Sequence, residues 1–122
     1  MPTPAPTAVD QERLSSFTDG DEQLERELAS LYLATAALYL DQMRTALASG
    51  GDWRRTAHAL KGASANLGAS ETARLAAAAE DAAPSPEMLA ELAEAVEAVG
   101  AYFRARLTSE MPPIQAALAR PA

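Results

Sequence analysis

The sequence predicts an all-α protein, namely an antiparallel up-down four-helix bundle with a short extra N-terminal helix. Apolar residues recur at spacings of three and four along most of the chain, which is the period of an α-helix. No segment alternates apolar and polar residues over any length, and β-branched residues are sparse. The segments between the periodic stretches are short, which favours antiparallel packing of neighbouring helices.

The length of 122 residues is that of one domain. We expect the bundle to occupy residues 10–107. A Pro/Ala/Thr-rich stretch at residues 1–9 is expected to be a disordered arm, and residues 108–122 are expected to be a flexible tail.

The first two helices are predicted from caps and apolar spacing. The short first helix begins near Asp10 and packs through Leu14 and Phe17. Asp19 and Glu22 are spaced as in a capping box, just before a long helix at about residues 21–48. The apolar residues of this long helix cover a broad face, which predicts burial against the bundle and the first helix, with a dimer contact as the alternative. They are Leu24, Leu28, Leu31, Leu33, Ala36, Leu38, Tyr39, Leu40 and Met43.

Gly50 and Gly51 end the second helix, and Asp52 is placed to cap a third helix at about residues 53–68. With 100° of rotation per residue, one side of this helix carries the residues expected in the core. These are Trp53, Ala57, Leu60, Ser64 and Leu67. His58, the only histidine of the chain, lies well off that side and is expected to point into solvent.

Two further helices complete the bundle. Ser70 is the expected cap of a fourth helix at about residues 71–82. Ser85 and Pro86 are the expected cap and first residue of a fifth helix at about residues 86–107.

The composition excludes several functions. The chain has no cysteine and one histidine, so disulfides and thiolate chemistry are excluded and a zinc site is disfavoured. The net charge of −7 disfavours nucleic acid as a partner. No apolar run reaches the ~18 to 20 residues of a membrane span, and the first residues do not resemble a signal peptide. We therefore expect a cytoplasmic protein without a metal site.

The residues that neighbour His58 on its helix either carry a positive charge or have almost no side chain. They comprise Arg54, Arg55, Lys61, Gly62, Ala65 and Ala69. A glycine within a helix costs about 1 kcal/mol relative to alanine. Its presence one turn after an exposed histidine indicates that something bulky must approach that histidine.

An exposed neutral imidazole can attack phosphorus in line, and Lys61 can reach the oxygens of a bound phosphoryl group. No second histidine and no neighbouring acidic residue completes a nucleophile–base–orienter set. No glycine-rich nucleotide-binding motif is present either. The chain therefore has no evident way to bind ATP or to phosphorylate itself. If His58 takes a phosphoryl group, the chain acts as a phosphocarrier and not as an enzyme, and the donor, the metal and most of the transition-state stabilisation come from a partner.

The segment His58-x-Leu-Lys-Gly-x-Ser-x-Asn-Leu-Gly-Ala69 resembles the signature of the histidine-containing phosphotransfer (HPt) domain of multistep phosphorelays. The resemblance covers about residues 10–107, and Glu80 stands where the family usually has a glutamate. It implies a four-helix bundle whose histidine receives a phosphoryl group from an aspartate of one receiver domain and passes it to another.

The resemblance also implies roles for single residues. His58 would be the phosphoacceptor, Lys61 would stabilise the phosphoryl group, and Gly62 would let the receiver approach. The partners would be receiver domains of response regulators or of hybrid histidine kinases. They would supply Mg²⁺, so that this chain needs no cofactor of its own. The residues expected to contact the receiver are Arg54, Arg55, Ala65 and Ala69.

The alternatives belong to other classes. A non-phosphorylated adaptor could keep the same bundle and dock receivers without accepting phosphate. A histidine-kinase dimerisation helix pair would have an acidic residue directly after the phosphoacceptor, where this chain has Ala59, and would need two chains to form four helices. Four helices in one chain favour a monomer.

Arg74 of the fourth helix is a candidate for a polar contact to the histidine.

Overall fold

The computed structural model describes residues 8–110 of the protein, with side chains as far as Arg106. This part of the chain consists of five helices with short connections and contains no strand. The helices are α1 (Gln11–Thr18), α2 (Glu22–Ser49), α3 (Trp53–Leu67), α4 (Ser70–Asp81) and α5 (Pro86–Glu110). The predicted all-α fold with a short extra first helix is confirmed.

Four of the helices form the bundle. Each of α2, α3 and α4 packs against the next helix, α5 returns to α2, and α1 lies against α2 and α3. The largest fully buried side chains come from all five helices or the segment before them. They include Val9, Leu14, Met43, Leu60, Thr72, Leu92 and Val99. Within residues 8–110, no helix is both long enough and apolar enough to cross a bilayer.

Helices α3 and α4 make the most extensive helix–helix contact within the described residues, and both bury small side chains. Ala57, Ala76 and Ala79 are completely buried. The indole N–H of Trp53 donates a hydrogen bond of 2.9 Å to the carbonyl oxygen of Ala79 and so ties the start of α3 to the end of α4. This hairpin forms the scaffold on which His58 is held.

Three side chains cap helices. Asp52 and Ser85 were predicted as caps, and Asp10 was predicted only as the start of the first helix. The carboxylate of Asp10 accepts from the N–H of Arg13 at 3.1 Å at the start of α1. Asp52 caps α3 in the same way. At α5, the hydroxyl of Ser85 accepts from the N–H of Met88 at 3.1 Å. Each cap satisfies a backbone donor that the helix itself leaves unpaired.

Two predicted caps were wrong. Asp21, and not Asp19, caps α2, with its carboxylate accepting from the N–H of Leu24 at 3.1 Å. Asp19 instead ends α1 in the left-handed conformation with φ of 54°. At α4, the N-cap residue is Ala69, which makes no side-chain cap, and Ser70 is already helical.

The predicted inner face of α2 was only partly correct. Phe17 of α1 is 63% exposed, and Leu31 and Leu38 of α2 are 65% and 54% exposed. The buried residues of α2 are Glu25, Ala29, Tyr32, Ala36, Leu40 and Met43. Leucines and alanines repeat with the same period on neighbouring stripes of this helix. The packing of the other helices decides which of these stripes is buried.

The structure also differs from the predicted arm and tail at their inner ends. Val9 is buried in the core, and the N–H of Asp10 donates to the carbonyl oxygen of Gly68 at 2.7 Å. At the other end, α5 continues to Glu110, beyond the predicted limit at residue 107. Residues 1–7 and 111–122 lie outside the described part of the chain.

A buried ion pair joins α1, α2 and α5. Glu25 of α2 accepts from Arg106 Nε at 2.6 Å and Nη2 at 3.1 Å, and from Gln11 Nε2 at 3.1 Å. Burial alone would raise the pKa of Glu25, but the hydrogen bonds from Arg106 and Gln11 outweigh burial and hold the pKa below its usual value. The ion pair therefore joins α2 to α5, and the hydrogen bond from Gln11 adds α1 to the same network.

Gly68 is a position where the fold requires glycine. Its φ is 87°, and a Cβ there would lie 2.9 Å from the carbonyl oxygen of Asp10. We expect Gly68→Ala to lower the free energy of unfolding by at least about 1–2 kcal/mol, the cost of a left-handed residue with a side chain. Urea unfolding followed by circular dichroism measures this. Gly62→Ala is the matched control, because a Cβ at Gly62 meets nothing within 4 Å. An equal loss in both variants would contradict the argument.

Candidate functional site

The predicted orientation of α3 is confirmed. Its buried residues are Trp53, Ala57, Leu60, Ser64 and Leu67, as the helical period indicated. In the core, the hydroxyls of Tyr32 and Ser64 share a hydrogen bond of 2.8 Å, which ties α3 to α2. With this side turned inward, the His58 side chain is directed outward and is 65% exposed.

A carboxylate of α4 contacts two side chains of α3 that the sequence predicts for the site. His58 Nδ1 lies 2.8 Å from Glu80 Oε1, and Lys61 Nζ lies 3.0 Å from Glu80 Oε2. The Glu80 side chain is only 16% exposed, whereas that of Lys61 is 37% exposed. The expectation that no acidic residue accompanies His58 was therefore wrong, because the partner comes from another helix.

Glu80 follows His58 by 22 residues, too far for a contact within one helix. The chain reverses at Gly68 and Ala69, and α3 and α4 then run side by side. His58 and Glu80 are equally far from Ala69 along the sequence. In an antiparallel helical hairpin, residues at equal distances from the turn come together. This symmetry is a signal from which the contact could have been predicted.

The contact determines which nitrogen of His58 carries the proton. An ionised carboxylate only accepts hydrogen bonds, so Nδ1 must donate. In the neutral ring, the free electron pair is then on Nε2. The hydrogen bond from Lys61 is the main reason that the pKa of Glu80 lies below its usual value, and the contact with His58 adds to it. Burial of Glu80 would raise this pKa and opposes the two contacts only in part. Glu80 therefore remains charged at neutral pH and accepts the hydrogen bond from Nδ1 of His58.

Arg54 and Arg55 lie on the first turn of α3, as predicted, and both are exposed. They line an open hollow together with His58, Glu80 and Asp52. The Asp52 carboxylate accepts from the backbone N–H of Arg55 at 2.9 Å as the cap of α3. The hollow beside His58 therefore presents two guanidinium groups to an approaching molecule, in a chain whose net charge is −7.

Gly62 is exposed on α3, one turn after His58. A Cβ at this position would meet no atom within 4 Å, and its φ is not in the left-handed region. Neither packing nor backbone conformation within this chain therefore requires glycine here. That glycine at this position gives another molecule access to His58 therefore stays a prediction.

The two alanines predicted to contact a partner differ. Ala65 is half-buried, and its carbonyl oxygen accepts from Nε of Arg13 at 3.1 Å. Ala69 is completely buried at the start of α4, so its side chain is not available to a partner and that prediction was wrong. Arg13, which sequence reasoning missed, is exposed and brings a further positive charge from α1 to this side of α3.

Arg74 does not contact His58. Its guanidinium lies 3.0 and 2.5 Å from the Glu71 carboxylate on its own helix. It also lines a separate hollow with Glu91 and Glu94 of α5. The polar partner of the histidine from α4 is therefore Glu80, further along the helix, rather than Arg74.

The comparison with family models agrees with this geometry. The model of the Hpt domain matches residues 27–102, which is more than half of the chain and includes all of α3 and α4. Neither the search of curated proteins nor that of solved structures found a match. Hpt domains are helical bundles and phosphocarriers rather than enzymes, and they interact with receiver domains. The chain therefore belongs to the Hpt domain family, whose function is histidine phosphotransfer in phosphorelay signalling.

Proposed function

We propose that this protein relays a phosphoryl group between receiver-domain aspartates through His58. The observation that carries the proposal is the exposed imidazole whose Nδ1 is held 2.8 Å from the Glu80 carboxylate. This contact leaves the electron pair of Nε2 free to attack phosphorus. Family membership supports the chemistry, and His58 is the only histidine that the chain can use.

In the proposed step, the Nε2 electron pair of His58 attacks the phosphorus of a receiver aspartyl phosphate. A bond forms between Nε2 and phosphorus, and the bond between phosphorus and the aspartate oxygen breaks. The aspartate leaves as a carboxylate, and the Mg²⁺ expected in the receiver would balance the charge on the transferring oxygens. Transfer to the next receiver is the same step in reverse. The chain therefore acts as a carrier that needs no cofactor and no catalytic cycle of its own.

Charge and access support a receiver as the partner. Arg13, Arg54 and Arg55 are exposed near the His58 side of α3, and they would attract a pocket rich in carboxylates. Gly62 and Ala65 present little side chain there. A carrier must leave one partner for the next, so we expect a transient complex with a small interface.

The proposal is tested by mixing the protein with a phosphorylated receiver domain and measuring its intact mass. We expect the added mass of one phosphoryl group, lost in acid and kept in base. After tryptic digestion, the group should lie in the peptide of residues 56–61, which contains His58. Binding to several phosphorylated receivers without any added mass would overturn the relay and favour the non-phosphorylated adaptor.

We expect Lys61→Ala to slow phosphoryl transfer by about tenfold without abolishing it. The ammonium of Lys61 lies one turn from the nucleophile and is 37% exposed, so solvent weakens its interaction with the phosphoryl group. Tenfold corresponds to about 1.4 kcal/mol of transition-state stabilisation.

The measurement is the single-turnover rate of transfer at saturating receiver concentration. Lys61→Arg keeps the positive charge and should recover most of the rate. A Lys61→Ala protein that transfers as fast as the unmodified protein would show that this lysine does not act on the phosphoryl group.

A further inference from the structure

We propose that residues 114–118, which follow α5 in the sequence, fold back onto an apolar face of α1 and α2 and cover it until a partner displaces them. This apolar face consists of Phe17 of α1 and of Leu24, Leu31 and Leu38 of α2. The contact itself does not depend on the proposed relay, because the transfer chemistry uses none of these side chains.

The apolar face gathers the large apolar side chains that are exposed, among the side chains that the structure describes. On α2, its three leucines are spaced seven residues apart and form one stripe along the helix. Beside the stripe, a hollow of about 250 Å³ opens between α1, α2 and α3. Its lining includes Phe17, Leu28, Leu31, Ala63 and Leu67. Apolar side chains gathered on one face mark a surface that another segment or another molecule covers.

The contacts of α5 bring the end of this helix close to the apolar face. Arg106 donates to Glu25 of α2 at 2.6 Å, and the hydroxyl of Tyr102 donates to the side chain of Gln11 at the start of α1. Helix α5 ends one turn after Arg106. The chain therefore leaves α5 at the end of the bundle where α1 and α2 begin, and Leu24 is the neighbour of Glu25 in the sequence.

The sequence after α5 is long enough to reach the hollow. An extended chain covers about 3.3 Å per residue, so the eight residues from Glu110 to Leu118 can span about 26 Å. Along α2, which rises about 1.5 Å per residue, Leu31 lies about 9 Å from Glu25. The width of a helix adds about 10 Å to this path. Residues 114–118 can therefore lie on the apolar face without any change in α5.

The composition of this segment suits an apolar surface. Ile114, Ala117 and Leu118 are spaced three and four apart, the spacing that brings side chains to one side of a helical turn. The two prolines before Ile114 disfavour continuation of α5, and so favour a change of direction. Residues 1–7 offer no comparable pair of large apolar side chains. The segment after α5 is therefore the better occupant within this chain.

Charge favours this segment over a second copy of α2. Residues 111–122 contain no acidic residue and one arginine. Glu27 and Asp41 are exposed on α2 close to the leucine stripe. In an antiparallel pair of α2 helices with Leu31 of one copy on Leu38 of the other, Glu27 would lie beside Asp41 of the other copy. Like charges side by side oppose such a pair, whereas the segment brings none.

The hollow also connects the apolar face to the helix that carries the nucleophile. Asn66 of α3 lines the hollow and lies two turns after His58. A receiver that contacts α1 while it docks on His58 would have to displace the segment first. The covering segment is therefore an autoinhibitory contact, which lowers the rate of association and leaves the transfer step unchanged. This consequence rests on the proposed relay.

The experiment uses the full chain, whose lack of cysteine allows a single spin label. Ala119→Cys is labelled with a nitroxide, which broadens the NMR signals of nearby amides. We expect broadening at Phe17, Leu28 and Leu31. The amide of Ser85, at the opposite end of α5, should keep its intensity. Equal intensities at all four amides, with and without the nitroxide, would overturn the contact.

A matched pair of variants tests the apolar side of the segment. Ile114→Ser with Leu118→Ser should restore the amide intensities on the apolar face, whereas Gln115→Ser with Ala116→Ser should not. Broadening that survives the first pair would contradict an apolar contact. A spin-labelled chain mixed with an isotope-labelled chain that carries no nitroxide gives the last control. Broadening in that mixture would show that a second copy covers the face, and it would overturn the proposal.

The autoinhibitory role is measured as the rate of association with a phosphorylated receiver. If the segment covers the face for about 90% of the time, Ile114→Ser with Leu118→Ser should raise this rate about tenfold. The transfer rate at saturating receiver concentration should stay the same. An unchanged association rate would overturn the inhibition. Failure of every receiver to label the protein would overturn the relay, and it would leave the amide measurements unaffected.

Discussion

We expect His58→Gln to remove all phosphoryl transfer from a phosphorylated receiver while leaving the fold unchanged. Glutamine has no nucleophilic nitrogen, and the chain contains no second histidine. The His58 side chain is 65% exposed, so its replacement should change the free energy of unfolding by less than about 0.5 kcal/mol. The glutamine amide can still donate to Glu80.

Intact-mass measurement after incubation with the phosphorylated receiver gives the result directly, and circular dichroism checks the helical content. Arg74→Gln is a useful control, since it also changes one exposed polar side chain but lies with Glu71, away from the site. We expect it to be labelled like the unmodified protein. Acid-labile label on His58→Gln would mean that another residue accepts the phosphoryl group.

The second large effect is expected for Gly62→Gln, which should block the receiver without disturbing the helix. A Cβ on this residue would have open space around it, so the chain itself can accommodate a longer side chain. Removing a glycine from inside a helix should raise stability by about 0.5–1 kcal/mol. A partner that must reach Nε2 one turn away would meet the added side chain. We expect transfer from the receiver to slow by about a hundredfold or more, or about 2.7 kcal/mol.

Two phosphoryl donors separate this steric effect from damage to the site. Phosphoramidate is small and should label Gly62→Gln as fast as the unmodified protein, whereas the receiver should not. Gly62→Ala should be intermediate with the receiver, and Ala90→Gln, at an exposed position of α5, should have no effect. Equal slowing with both donors would show that glycine supports the site itself, and equal rates with the receiver would refute the steric argument.

Much of the fold could be predicted because periodicity and caps are local. The buried side of α3 follows from spacing alone, and the caps Asp52 and Ser85 follow from single residues. The exposed positions of Leu31 and Leu38 could not be predicted in this way. A helix with apolar residues on several stripes has the same period for each stripe, and the neighbouring helices decide which one is buried.

The same division holds for the site. The motif around His58 was sufficient to predict the outward direction of His58, the nearby Lys61 and the open position at Gly62, because all three lie within two turns of one helix, where spacing determines direction. The partner carboxylate could not be read from that helix, because Glu80 reaches Nδ1 only when α3 and α4 pack side by side. Which nitrogen carries the proton therefore depends on helix packing, since a hydrogen bond depends on distances that only the folded chain establishes.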